Sequence, residues 1–314
     1  MKAAQFRDYG GPEVIEINEI PQPTPAQDQV LIEVYAATIN PFDYKVRRGY
    51  MKDSMPLKLP LTIGGNFSGI VVGAESEVTK FKVGDKVFGQ SYAFGGGSGA
   101  IAEYAVASVE NIAIKPKNIS YIEAGSLPLV GASAIQALEQ HINLKDGQKI
   151  LIHGGAGGIG SIAIQLAKYL GAYIVTTVSG EEAEFVKSLG ADEVIDYQKE
   201  KFEENPPAGG FDAVFDTVGG DTLDRSFKVL KKGGVLVSML GEPSKELALK
   251  YEVAVFGQNT QTNSKNLSRL KELVEQGVIK PQIDRVFPLD QTREAFEYVE
   301  TGHPRGKVVI SIKE

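Results

Sequence analysis

Apolar positions follow two different rhythms along the chain. Up to about residue 120 they come in short β-branched runs, such as residues 30–34 and 69–73, separated by Pro21, Pro23, Pro25, Pro41, Pro56 and Pro60. Proline lacks an amide donor and interrupts helices, so this part is predicted to be mostly strand, at a spacing suited to a small barrel. Residues 83–88 read as a Gly-Asp turn leading into a strand, and residues 102–106 as another.

From residue 121 the rhythm changes. Residues 121–140 are small and helical in spacing. Residues 149–153 form an apolar strand, and after a glycine-rich loop the apolar positions 162, 163, 166, 167 and 170 have helix periodicity. Strands are predicted at 173–178, 193–195, 211–216 and 234–239, with helices at 181–189 and 223–230. Such alternation predicts an α/β doubly wound Rossmann-type parallel sheet. The last fifty residues add helices at 266–276 and 291–301 and strands at 285–288 and 307–312. The final strand is expected to return to the first sheet. The domains expected are therefore 1–122 completed by 262–314, and 123–261.

The loop Gly155-Ala156-Gly157-Gly158-Ile159-Gly160 fits G-x-G-x-x-G between a strand and a helix. Glycines there permit a tight turn and close backbone approach, and the helix start offers unpaired N–H groups to a pyrophosphate. The competing reading is a glycine-rich connection with no ligand. About twenty residues on, the second strand ends in Thr176-Thr177-Val178-Ser179-Gly180, without the carboxylate that would bind the ribose of NAD. Ser179 and Gly180 leave room for a 2′-phosphate, which points to NADPH. Glu181 and Glu182 pull the other way unless they serve the helix dipole.

Composition removes several alternatives. With 33 basic and 40 acidic residues the net charge is −7, against a nucleic-acid or anionic-membrane grip. Cysteine is absent, and His141, His153 and His303 are scattered, so thiol chemistry is excluded and a metal site is not expected. The histidines read as structural. No apolar stretch reaches spanning length and the N-terminus lacks a secretory pattern, so a cytoplasmic protein is expected.

Ordered motifs cover essentially the whole chain: Asn40-Pro41-Phe42-Asp43-Tyr44-Lys45-Val46-Arg47-Arg48-Gly49, Gly64-Gly65-Asn66-Phe67-Ser68-Gly69, Val83-Gly84-Asp85-Lys86-Val87, Leu127-Pro128 with Gly131-Ala132-Ser133-Ala134, the glycine loop, Ser188-Leu189-Gly190-Ala191-Asp192, Asp216-Thr217-Val218-Gly219-Gly220 and Arg305-Gly306-Lys307. In these the sequence resembles the zinc-independent medium-chain dehydrogenase/reductases, the quinone oxidoreductase and enone reductase branch. The resemblance implies a GroES-like, mostly-β barrel catalytic domain beside the Rossmann domain, and a homodimer. Zinc-dependent members of the family carry a cysteine ligand where this chain has Asn40, and Gly-His-Glu where it has Gly64-Gly65-Asn66. The branch itself usually has aspartate at the position of Asn66. Without a Lewis acid, the expected acceptors are ones that delocalise incoming charge themselves, quinones and α,β-unsaturated carbonyls.

The resemblance also suggests site residues. Asn40 is expected to turn its amide into an inter-domain cleft, toward the nicotinamide ribose or the substrate carbonyl; otherwise it is an Asn-Pro turn former. Tyr44 is a candidate proton donor, with packing as its alternative. Lys45 is implied as a cofactor contact, Ser133 as a hydroxyl on the nicotinamide side, and Tyr197 as a contact to the 2′-phosphate. Leu240 and Gly241 end a strand at the edge where cofactors bind, and Arg305-Gly306 are implied at the nicotinamide end. The activity expected is NADPH-dependent hydride transfer to a quinone or enone. The alternatives are an enoyl-thioester reductase, or a non-catalytic NADPH-binding or RNA-binding relative that uses Lys45, Arg47 and Arg48.

Overall fold

The computed structural model describes residues 1–75, 78–204, 206–302 and 304–313, so His303 lies outside the described residues. The chain divides into two compact units, one of Met1–Leu129, Thr262–Gln276 and Pro281–Glu314, the other of Val130–Gln261 and Gly277–Lys280. Residues 123–129 thus fall in the first unit and not the second. The helix Tyr121–Gly125 is fixed there because Ser68 Oγ donates to Tyr121 O at 2.6 Å and Gly125 lies against the Ala36 backbone. Gly277–Lys280 belong to the second unit, where the Gln165 amide clasps the Lys280 backbone at 2.9 and 3.1 Å.

In the second unit, six parallel strands run in the spatial order Glu193–Asp196, Tyr173–Val178, Lys149–His153, Phe211–Asp216, Leu230–Ser238, Ala254–Gly257. The order reverses beside Lys149–His153, and ligands of such sheets bind at the carboxyl ends near that reversal. The long helix predicted over 121–140 is instead broken. Pro128 starts a new helix, Pro128–Ile135, and the chain widens into a π-helix over Gln136–His141. The helix expected over 223–230 shortens to Asp221–Ser226 followed by a 3-10 turn.

In the first unit a seven-stranded sheet runs Ile283–Pro288, Lys307–Ser311, Gln29–Thr38, Asn66–Ala74, Lys86–Gln90, Ile112–Ile114, with Tyr104–Ser108 also on Gln29–Thr38. Lys307–Ser311 pairs antiparallel with Gln29–Thr38, as expected of a returning terminal strand. A three-stranded sheet of Lys2–Phe6, Ile15–Glu19 and Leu61–Thr62, not anticipated from the sequence, flanks it. The strand Gln29–Thr38 carries one extra residue, Tyr35, between the pairs Val34–Gly69 and Ala36–Ser68. Before this bulge the even positions Val30, Ile32 and Val34 face the barrel core; after it the odd positions Ala37 and Ile39 do. A bulge of this kind re-aims the following side chains, and it puts Thr38 and Asn40 on the opposite, polar face.

Candidate active site

The phosphate loop owes its shape to contacts that exclude side chains. Gly154 has φ +73°, and a Cβ on it would meet Thr217 Oγ1 at 2.7 Å. A Cβ on Gly155 would lie 2.2 Å from Thr176 Oγ1, and one on Gly160 2.2 Å from Gly154 O. Gly157 has room, with its nearest neighbour at 3.4 Å, and it is the N-cap of the helix Gly158–Tyr169 with no side chain capping the first turn. The loop therefore presents bare backbone and a helix N-terminus, a cradle that fits a pyrophosphate.

Beneath the loop a hydrogen-bond chain holds its base. Ser226 Oγ donates to Thr222 O at 2.7 Å and accepts from His153 Nε2 at 3.1 Å, while His153 Nδ1 faces Thr177 Oγ1 at 3.0 Å. Complete burial pushes the imidazole pKa down to about 3, so it stays neutral. The ring also packs edge-on against Phe202, and a proton-shuttle role is not supported. The adjacent turn is organised by buried Asp216, which accepts from the N–H groups of Val218 and Gly219 and from Ser238 Oγ at 3.0–3.1 Å.

Along the carboxyl edge three large side chains stay uncovered: Tyr197 at 54%, Val218 at 49% and Leu240 at 48%. They follow three different strands, and Leu240 borders Gly219. Val218 was not singled out from the sequence. Ser179 and Gly180 lie where a ribose would be read. Ser179 Oγ donates to Glu182 Oε2 at 3.2 Å, and a Cβ on Gly180 would be 3.3 Å from Lys199 Nζ. Lys199 is paired with Asp196 at 2.8 Å, and the Asp196 carboxylate lies closer still to Gly180, at 2.5 Å from its Cβ position. Ser133 is buried, its Oγ 2.8 Å from Thr260 Oγ1. Beside it Gln258 Nε2 donates to Ser133 O at 3.0 Å, which leaves buried Gln258 Oε1 with no hydrogen bond. Gly241 follows Leu240 with φ +151°.

In the first unit, Asn40 caps the helix Pro41–Arg47, which carries Tyr44 and Lys45. Asp43 accepts from the Asn40 backbone N–H at 2.7 Å. Lys307 Nζ donates to Ile39 O and Asn40 Oδ1, both at 2.8 Å. Burial raises the Asp43 pKa to about 7 and lowers that of Lys307 to about 8, each opposed by the other's charge. Tyr44 is half-buried against the barrel core, and burial with the nearby Glu300 carboxylate raises its phenol pKa, which makes it a weaker acid. Arg47 is buried and Arg48 exposed, and both pair with Glu300, so the three basic residues do not form an open patch. Lys45 makes no such pair among the described residues. Arg305 is exposed, and Gly306, with φ +77°, is required because a Cβ would lie 2.2 Å from Gln282 O.

Among the buried side-chain atoms of this unit without a hydrogen bond are Thr38 Oγ1, Asn40 Nδ2 and Asn66 Nδ2. Leaving such a group unpaired costs about 1–3 kcal/mol. The Tyr92 ring covers Gly65, where a Cβ would sit 2.3 Å from its Cζ, and the hydroxyl faces Asp43 and Asn40. Among the described residues no three His, Asp or Glu side chains gather into a metal-ligating group.

Comparison with known proteins places this geometry. The alcohol dehydrogenase GroES-like domain family matches residues 26–117, and the zinc-binding dehydrogenase family residues 189–310. The chain is 39% identical to 2-methylene-furan-3-one reductase of Solanum lycopersicum and 38% to the chloroplastic NADPH-dependent alkenal/one oxidoreductase of Arabidopsis thaliana. In both cases the match covers 99% of this chain and 79% of the relative. A quinone oxidoreductase structure from Coxiella burnetii superposes with TM-score 0.91 at 38% identity, over 100% of this chain and 99% of that one. The Escherichia coli quinone oxidoreductase complexed with NADPH gives 0.89 at 28%, over 99% and 100%. The chain belongs to the zinc-independent quinone oxidoreductase branch of the medium-chain dehydrogenase/reductase family.

Proposed function

We propose that this protein is an NADPH-dependent oxidoreductase that reduces quinones or the C=C bond of α,β-unsaturated carbonyls without zinc. The observation that carries the reading is the cradle of Gly155, Gly157, Gly158, Ile159 and Gly160, whose bare backbone leads into an uncapped helix start. Bound NADPH supplies the hydride. Tyr197, Ser179 and Lys199 hold its adenosine end, Val218, Leu240 and Gly241 shape the apolar path beyond the loop, and Ser133 orients the nicotinamide side. Asn40 offers an amide N–H to the acceptor. Lys45, Arg305 and Gly306 are the remaining proposed cofactor contacts. Tyr44, half-buried against the barrel core, is the proposed proton donor, with solvent water as the alternative source.

The relatives named for alkenal, furanone and quinone reduction support this acceptor class. The experiment is NADPH oxidation measured against a panel of quinones, short enones and enoyl thioesters. Turnover confined to thioesters would shift the reading to an enoyl-thioester reductase, and dinucleotide binding without turnover to a non-catalytic relative. Homodimerisation through the edge strand Ala254–Gly257, which has one neighbour in its sheet, is part of the proposal, with sedimentation as its test. No described helix is long and apolar enough to cross a membrane. A cytoplasmic site of action is proposed, and cell fractionation tests it.

A further inference from the structure

We propose that Gln136 is a positioning residue for the nicotinamide: its side-chain amide clamps the segment 258–261 beside Ser133 and so fixes the groups that the nicotinamide ring meets. The inference rests on the reading above that Ser133 lies on the nicotinamide side of the cofactor.

The segment leaves the sheet where a cofactor is expected. It follows the last strand of the sheet, Ala254–Gly257, and the Gln258 N–H donates to Ser238 O at 2.8 Å, at the end of the neighbouring strand. Both positions lie at the carboxyl edge of a parallel sheet, the side on which such folds bind dinucleotides. Gln258 Oε1 is buried there without a hydrogen bond. Unpaired buried polar atoms are uncommon, and the carboxamide of a nicotinamide can supply the missing donor.

Ser133 and Gln136 stand three residues apart on one face of the helical run that begins at Pro128, and both grip the segment. The Ser133 hydroxyl meets that of Thr260 at 2.8 Å, and its carbonyl accepts from Gln258 Nε2 at 3.0 Å. Buried Gln136 holds the backbone on either side of Thr260. Its Nε2 donates to Asn259 O at 3.2 Å, and its Oε1 accepts from the Gln261 N–H at 2.8 Å. A carbonyl can only accept and a backbone N–H can only donate, so the amide has one orientation. Gln136 Nε2 also faces His141 Nε2 at 3.3 Å, and the His141 ring stacks on Phe256 of the last strand with centroids 4.6 Å apart. The helix widens at Gln136 itself, and widened turns of this kind recur at functional sites.

Asn259 and Gln261 are exposed. Without Gln136 their backbone groups would turn to water, at little cost to folding, and the segment would lose its fixed place beside Ser133. Binding would then have to order it, which lowers affinity.

The probes are NADP+ and 2′-phospho-ADP-ribose, which has the same adenosine and pyrophosphate but no nicotinamide, each titrated calorimetrically into the full chain. In Gln136→Leu, NADP+ affinity should fall roughly tenfold while that of 2′-phospho-ADP-ribose stays at the parent value. Gln136→Glu keeps an oxygen for the Gln261 N–H and loses the amide donor to Asn259 O, so its loss should be smaller. A purely structural role would weaken both ligands together. Equal losses for the two ligands, or an unchanged NADP+ affinity in Gln136→Leu, overturns the proposal and leaves the nicotinamide reading intact. If the parent binds the two ligands equally, the placement of the nicotinamide beside Ser133 is overturned, and the proposal with it.

Discussion

His153 Nδ1 lies 3.0 Å from Thr177 Oγ1, and the direction of that hydrogen bond is set on the far side of the ring. Ser226 donates its own proton to Thr222 O, so it can only accept from His153 Nε2. Nδ1 is therefore the acceptor, and Thr177 is the donor. The neutral imidazole links the strand ends beneath the phosphate loop to the helix Asp221–Ser226.

This arrangement gives an acid-sensitive fold. The pKa of His153 is about 3 in the folded chain and about 6.5 when unfolded. Between those values the unfolded state binds the extra proton. Stability should therefore decline as pH falls below about 6.5, at up to ~1.4 kcal/mol per pH unit from this group. In His153→Asn that contribution disappears, so denaturant midpoints measured from pH 7 to 4 should fall less steeply. An unchanged slope would contradict the assignment.

The glycines of the loop should separate folding from binding. Gly157→Ala has ordinary room and φ −73°, so its melting temperature should stay near that of the parent while NADPH affinity falls because the methyl obstructs the pyrophosphate. Gly160→Ala forces a methyl against the Gly154 carbonyl, and should lose both, with about 1–3 kcal/mol of stability. Calorimetric titration and thermal melts read the two effects independently.

Gln258 is a second positioning candidate, with its amide nitrogen held by Ser133 O and its oxygen unpaired. A nicotinamide carboxamide has the N–H to fill that vacancy; a 3-acetylpyridine analogue does not. The parent should bind NADP+ more tightly than the analogue by roughly tenfold, and Gln258→Leu should bind the two about equally. Equal affinities in the parent would refute the role.

Cofactor choice should depend on Lys199 and Glu182. Removing the ammonium in Lys199→Ala should weaken NADPH by about 1 kcal/mol, roughly fivefold, and leave NADH unchanged. Glu182→Gln should strengthen NADPH selectively, by relieving repulsion near Ser179. Ratios of kcat/KM for the two cofactors decide it, and parallel changes would exclude the assignment.

The phosphate loop was legible in the sequence because glycine spacing, strand and helix are all local. The face that Thr38 shares with Asn66 was not, because it depends on cross-strand register and on a one-residue bulge that no periodicity displays. Tyr92 sits among short turn residues, and only the folded chain shows its ring lying over Gly65. Lys199 and Gln258 follow other strands, so only the sheet order brings them to the groups they serve. The helix Pro41–Arg47 was obscured by Pro41, which begins it as a first-turn residue instead of breaking it.

The extra residue at Tyr35 acts as a phase shifter on a single strand. Its first half is committed to insulation, its second half turns Thr38 and Asn40 to the polar face, and the Tyr35 carbonyl, which receives the N–H groups of Ile312 and Lys313, pins the switch in place from the chain's far end. Length changes on the two sides of that point carry different consequences. One residue gained or lost near Leu31 disturbs the insulation alone, whereas deleting Tyr35 would exchange the two halves and send Thr38 and Asn40 into oil.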